Sequence, residues 1–281
     1  MRVANSIAEA RVALDAARRA TLRVGFVPTM GFLHEGHLSL VDEARRRAGF
    51  VVMSVFVNPL QFAPNEDLTN YPRDPDGDAA KADARGVDLF FTPAGHEMYP
   101  RDRRIEVVAR QLAERWEGAV RPGHFGGVLT VVAKLFNIVR PDVAVFGQKD
   151  VQQATLVQAM VQDLDFPIEV VVAATARERD GLAMSSRNTY LAGDDRARAT
   201  ALSRALFAMR DAFHSGERDG ARLTAAGARV LAAEPSIAVD YLALADAATL
   251  EPATTVNAST VAMVAARVGR TRLIDNLILG A

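Results

Sequence analysis

"RVGFVPTMGFLHEGHLSL", residues 23 to 40, decides how the rest of the chain is read. Its first seven residues are almost continuously apolar and β-favouring, as in a strand buried on both faces. From Gly36 to residue 48 the apolar residues recur at helical spacing. A strand handing over to a helix in this way is the repeating step of a parallel sheet, and the step recurs. "FVVMSVFV" (50 to 57), "VDLFF" (87 to 91), "DVAVFG" (142 to 147) and "IEVVVAA" (168 to 174) read as further buried strands. Residues 75 to 86, 127 to 140 and 149 to 163 read as helices, the first with Asp74 as cap and Pro75 as first helical position. The expectation is a doubly wound α/β sheet.

After about residue 187 the character changes. Ala-rich helical patterns at 194 to 214 and 219 to 234 precede "VDYLALAD", "STVAMVAARVG" and "TRLIDNLIL", which read as short strands. The expected organisation is a first domain over 1–176 and a smaller α+β domain over 177–281, with the boundary in the region 176 to 188.

Composition narrows the function. The 33 basic residues nearly cancel the 34 acidic ones, so neither nucleic acid nor an anionic membrane is expected as a partner, and any phosphate binding is local. The absence of cysteine removes disulfides, thiolate catalysis and Cys-based metal sites, and fits the cytoplasm. "MRVANSIAEARVALDAARRA" has no unbroken apolar core of a signal peptide, and no run approaches the ~20 apolar residues of a spanning helix. A soluble cytoplasmic protein is expected.

Doubly wound sheets bind ligands at the carboxyl ends of their strands, near the switch in strand order. The unusual residues fall there. His34 and His37 sit at i and i+3 on the first turn of a helix whose N–H groups and positive end would face an anion. A zinc pair and a merely structural cap are the alternatives. Gly31 and Gly36 allow close backbone approach, yet neither a dinucleotide fingerprint nor a P-loop is present. "FGQKD" (146 to 150) places Lys149 after a buried strand, with Asp150 as a helix cap. "GLAMSSRN" (181 to 188) offers two hydroxyls and a guanidinium suited to closing over polyphosphate, or an ordinary linker. Asn58, Gln61 and Gln153 supply neutral amides for a substrate with a carboxylate and a hydroxyl. Arg121 and His124 in "RPGHF" either join this site or pack a loop, and Asp76 and Asp78 in "RDPDGD" either ligate a metal or solvate a helix start.

In this order and spacing, "VPTMGFLHEGH", "SVFVNPLQF", "YPRD", "RPGHFGGVLTVVAKLFNIVRPD", "FGQKDVQQ", "DGLAMSSRN", "VDYLALAD" and "TRLIDN" resemble the pantothenate synthetase, or pantoate–β-alanine ligase, family. The likeness covers nearly the whole chain. It extends more loosely to the class I synthetase-like nucleotidylyl transferases, which share an H-x-G-H element and a mobile M-S-x-x-type loop. The resemblance implies a Rossmann-like first domain and an ATP-dependent condensation of pantoate with β-alanine through an enzyme-bound pantoyl adenylate. Pyrophosphate would be released first and AMP second, with Mg2+ entering as the partner of ATP. Met30, Gly31, His34, His37, Gly147, Lys149, Asp150, the backbone at Ala176, Met184, Ser185, Ser186 and Arg187 are then implied in the ATP site. His37 would be the proton donor, and His34, Lys149 and Arg187 would complete the catalytic set. Gln61, Gln153 and Asn58 are implied for pantoate, and Gln61 also for β-alanine. At 176 the family usually carries a β-branched residue, and alanine preserves only a backbone contact. No metal site on the protein is expected, and a homodimer is implied by the resemblance alone.

Two other readings stay open on the residues: an adenylyltransferase that stops after joining AMP to a phosphorylated acceptor, and a catalytically silent nucleotide-binding module. Neutral amides at 61 and 153 speak against the first, because a phosphate acceptor asks for cations. Both histidines together with Lys149 and Arg187 speak against the second.

Overall fold

The computed structural model describes residues 1–64, 66, 68–99 and 103–281. These divide into two compact units, Met1–Gly147 with Gln152–Ala173, and Gln148–Val151 with Ala174–Ala281.

The first unit is a parallel sheet of β1 (Arg2–Ala4), β2 (Val24–Thr29), β3 (Phe50–Val55), β4 (Leu89–Phe91), β5 (Val143–Gly147) and β6 (Glu169–Ala173). The strands lie in the order β1-β4-β3-β2-β5-β6. Its helices are α1 (Ile7–Arg19), α2 (Glu35–Arg47), α3 (Pro75–Ala84), the single turns α4 (Gly95–Met98) and α5 (Glu117–Val120), α6 (His124–Val139) and α7 (Val151–Asp163). The chain steps outward from β2 through β3 to β4 and then returns to lay β5 on the other side of β2, with Gly25 opposite Val143 and Phe26 opposite Ala144. The switch in strand order therefore falls between β2 and β5. This is the doubly wound arrangement that the alternation of apolar runs implied.

Packing fixes the helices that carry the site. A Cβ at Gly25 would lie 3.0 Å from the Ala48 side chain and 3.3 Å from that of Ala44, so glycine in β2 lets α2 settle close to the sheet. Beneath α6, the Phe136 ring meets Phe26, Phe146 and Phe166 edge-on at centroid distances of 6.5, 6.4 and 5.8 Å.

Besides the single turns α4 and α5, β1 and α1 stand outside the elements expected from the sequence. β1 is three residues long and exists through its pairing with β4, Arg2 against Leu89. Helix α1 lies in the stretch read only for the absence of a signal peptide. Its start was written in the chain: Ser6 accepts from the Glu9 N–H while the Glu9 carboxylate takes the backbone at residue 6, a capping box.

The second unit holds α8 (Asp194–Arg198), α9 (Thr200–His214) and α10 (Gly220–Ala232) over an antiparallel meander of β7 (Ile237–Asp246), β8 (Thr260–Val268) and β9 (Thr271–Ile278). Leu202, Leu206 and Met209 of α9 and Leu223 of α10 are buried with Val264 and Ala266 of β8. The helical run expected over 194 to 214 is broken at Ala199, and the strands are longer than the short ones expected.

Candidate active site

The loop after β2 is shaped by backbone geometry and one buried carboxylate. Gly31 has φ +89°, and a Cβ there would press on Val55 and Asp78, at 2.8 and 2.9 Å. Phe32 follows with φ 53°, the left-handed region that few side chains tolerate. The strain is offset by Asp78 of α3, whose carboxylate accepts from the Phe32 N–H at 2.8 Å and the Leu33 N–H at 2.6 Å. Lys81, one turn along α3, donates to the Leu33 carbonyl at 3.0 Å. Asp78 is thus a buried brace of the loop and not an open metal ligand, which corrects one reading of "RDPDGD".

His34 is the N-cap of α2. Its Nδ1 accepts from the Gly36 N–H at 3.1 Å, and the Nδ1 of His37 accepts, at a long 3.4 Å, from the His34 N–H. The imidazoles lie 4.0 Å apart, centroid to centroid. The cap that stood as the structural alternative is present, and it has a chemical consequence. A ring whose Nδ1 accepts carries its proton, in the neutral form, on Nε2. Both histidines are set as Nε2–H donors by their own helix. Among the described residues no group of three or more His, Asp or Glu side chains is placed to hold a metal.

The turn after β3 carries the amides. Asn58 caps the 3-10 turn Pro59–Gln61, accepting from the Leu60 N–H at 3.3 Å and from the Tyr99 hydroxyl at 2.7 Å. Its Nδ2 donates to the Gln61 side-chain oxygen at 3.0 Å and to the Gly127 carbonyl at 3.1 Å. Burial pushes the Tyr99 hydroxyl well above its usual range, so it remains a donor. Asn58, 1 % exposed, spends its amide on the protein. Gln61 is oriented by it, with its Nε2 toward the Met30 sulfur at 3.0 Å. Arg121 and His124 converge on the Gln61 carbonyl. The paired glutamines of α7 separate sharply: Gln152 is buried, accepting from the Glu117 N–H and donating to the carbonyls of Leu112 and Arg115, while Gln153 is half-buried.

In the second unit, Gln148–Asp150 form a 3-10 turn held by β9. Asn276 donates through Nδ2 to the carbonyls of Gln148 and Lys149 at 2.9 and 2.8 Å. Its neighbour Asp275, 3 % exposed, takes both arms of Arg177 at 2.6 and 3.0 Å. Burial pushes the Asp275 carboxyl up, opposed chiefly by the Arg177 guanidinium. Arg177 donates further to the carbonyls of Asn276 and Gly181. The Met184 N–H bonds the Ala176 carbonyl, and the Ser185 hydroxyl caps a short 3-10 turn by accepting from the Arg187 N–H at 3.3 Å. Lys149 Nζ stands 3.9 Å from the Asp150 carboxylate. The segments carrying Lys149 and "MSSR" therefore hang from one buried ion pair and one amide on β9. Neither Arg177, Asp275 nor Asn276 was picked out as a site residue, although "TRLIDN" stands among the motifs of the resemblance. An Asp–Asn pair set inside an otherwise apolar strand run, "LIDNLIL", was the available signal.

The fold defines a class, the α/β proteins built on a doubly wound parallel sheet, and comparison with known proteins narrows it. The profile described as Pantoate-beta-alanine ligase matches residues 2–278. The chain is 52% identical over 291 residues to a pantothenate synthetase of Acidobacterium capsulatum, covering 100% of this chain and 97% of that one. It is 50% identical to that of Moorella thermoacetica, with 99% of each chain covered. A crystal structure of pantothenate synthetase from Thermus thermophilus superposes with a TM-score of 0.95 at 50% identity, over 100% of both chains. The pantoate-beta-alanine ligase of Francisella tularensis, complexed with beta-gamma ATP and beta-alanine, gives 0.80 at 30% identity, covering 100% of this chain and 98% of that one. The chain belongs to the pantoate–β-alanine ligase family, enzymes whose reaction is an ATP-dependent condensation.

Proposed function

We propose that this chain joins pantoate to β-alanine in two steps. The pantoate carboxylate attacks the α-phosphorus of ATP and displaces pyrophosphate, giving a pantoyl adenylate. The β-alanine amine then attacks the acyl carbonyl and displaces AMP, with loss of a proton. The observation that carries the reading is the pair of imidazoles whose Nδ1 atoms are occupied by the backbone at the switch point of the sheet, which leaves Nε2 to donate, in a chain matched by the family from residue 2 to residue 278.

The first step brings two anions together and builds charge on departing pyrophosphate, so it needs fixed donors and cations and no side-chain nucleophile. In this reading His37 and His34 donate to phosphate oxygens beside the N-terminus of α2. Met30 and Gly31 line the nucleotide, together with Gly147, the backbone at Ala176 and Met184. Lys149, Ser185, Ser186 and Arg187 supply the remaining donors, with Asp150 beside Lys149. Gln61 and Gln153 hold pantoate, Gln61 later meets β-alanine, and Asn58 serves them by fixing Gln61. The second step uses a reactive mixed anhydride and gains most from orientation and exclusion of water.

Magnesium enters as part of the nucleotide substrate, since Asp78 is committed to the loop backbone. The same reading takes the enzyme to be cytoplasmic and homodimeric, and light scattering on the purified protein tests the dimer. No helix among the described residues is long and apolar enough to cross a membrane. The deciding assay supplies MgATP, pantoate and β-alanine. AMP formation that requires both organic substrates supports the proposal, and ADP formation rules out the adenylate route.

A further inference from the structure

We propose that Arg121, Glu66 and His124 form a positioning clamp that fixes the Gln61 backbone, and with it the amide offered to both organic substrates; this rests on the substrate role given to Gln61 above. Four of the five N–H groups of Arg121 are assigned. Nε and Nη2 bind the two Glu66 oxygens at 2.7 and 2.6 Å, Nη2 also donates to the Gln61 carbonyl at 3.2 Å, and Nη1 meets His124 Nε2 at 3.1 Å. That last contact sets the histidine. With Nε2 accepting from a guanidinium, the proton lies on Nδ1, which donates to the same Gln61 carbonyl at 2.8 Å.

The two donors reach one carbonyl from α6 and the turn before it, and the preceding peptide is closed off as well. A Cβ at Gly127 would lie 2.2 Å from the Leu60 carbonyl oxygen and 2.7 Å from the Gln61 nitrogen, so α6 touches the turn backbone directly. The side-chain amide is set separately by Asn58, which the Tyr99 hydroxyl holds in turn. Backbone position and amide orientation are thus fixed by different groups. Holding α6 against the sheet does not call for a charged cluster, because apolar packing of similar volume serves as well. What the cluster supplies is a defined place for one carbonyl. Glu66 neutralises Arg121, so the clamp adds no net cation beside an amide meant for a mixed carboxylate and hydroxyl substrate.

The test measures pantoate-dependent exchange of pyrophosphate into ATP, with KM for pantoate and for ATP determined separately, alongside thermal midpoints. In Arg121→Ala and His124→Ala, kcat/KM for pantoate should fall by up to about 10²-fold, the scale of a small misplacement, with KM for ATP unchanged. His124→Asn, which keeps a donor near the Nδ1 position, should recover most of the loss. If Arg121→Ala does not fold, Glu66→Gln tests the same contact, and a smaller rise in KM for pantoate alone is expected. A wild-type enzyme with normal exchange, and variants that lose activity only in proportion to their unfolded fraction, would overturn the clamp alone. A wild-type chain with no pantoate-dependent exchange would remove the substrate role of Gln61 and the clamp with it.

Discussion

The loop after β2 and the turn after β3 leave neighbouring strands of one sheet and are held by opposite means. In the loop, a buried carboxylate gathers backbone N–H groups: Asp78 takes those of Phe32 and Leu33, and two imidazoles are left to cap α2. In the turn, cationic and imidazole donors gather on a backbone carbonyl, and neutral amides hold one another. The difference fits what each is proposed to meet. A triphosphate needs donors and uncompensated positive potential at the helix end. A small acid carrying hydroxyls needs an oriented amide whose surroundings are electrically balanced. In the turn, the side chain proposed to meet the substrate is placed by another element, whereas in the loop the imidazoles proposed to meet it also cap their own helix, and Asp78 braces only the residues before them.

The comparison breaks most visibly at His37. Replacing it with alanine should lower pantoate-dependent pyrophosphate exchange by ~10²–10³-fold, the usual cost of one transition-state donor, while the thermal midpoint moves little. An unchanged exchange rate takes His37 out of the chemistry. Asp78→Ala attacks the bracing instead: a buried and a half-buried N–H group lose a charged acceptor, and denaturant titration should register a loss of about 3 kcal/mol. If the titration curve does not move, the loop is held by something else. On α7 the paired glutamines should part company. Gln152→Ala strands the Glu117 N–H and two carbonyls and costs about 1–3 kcal/mol of stability, whereas Gln153→Ala should leave stability alone and raise KM for pantoate. Equal behaviour of the two variants would contradict the division.

The smallest effect near neutral pH concerns His124. Burial, and after it the Arg121 charge, lower its pKa from 6.5 to about 4, against the pull of the Gln61 carbonyl, Glu66 and Glu117. The unfolded chain therefore takes up a proton that the folded one refuses. Stability is unaffected by this group above pH 6.5 and declines as pH falls toward 4, by about 1 kcal/mol at pH 5.5 and about 3 kcal/mol across the window. Glu66, which burial would raise, is held below its usual range by Arg121 and adds acid sensitivity only below about 4.5. Urea melts of the wild type and His124→Asn at pH 5.5 and 7.5 should show a smaller pH difference in the variant.

The strands and helices that matter most for the site were legible because their signals are local. Continuous Val, Ile and Phe runs mark β2, β3, β5 and β6, and Asp74–Pro75 marks the start of α3. The capping box of α1 was equally local and went unread. His34 and His37 stood out as a pair at a strand-to-helix junction, and the cap they form is a property of their own spacing.

What the sequence by itself determined is which residue types stand at which strand ends, because periodicity and caps depend only on near neighbours along the chain. Only the tertiary structure decided the work of each polar group. Gln152 and Gln153 are adjacent and chemically identical, yet one is consumed by the interior. Asp78 is separated from Leu33 by 45 positions and Arg177 from Asp275 by 98, so no local pattern announces either contact. The partners of a buried donor or acceptor are chosen by how the chain returns on itself, and burial then makes those choices costly to leave unmet.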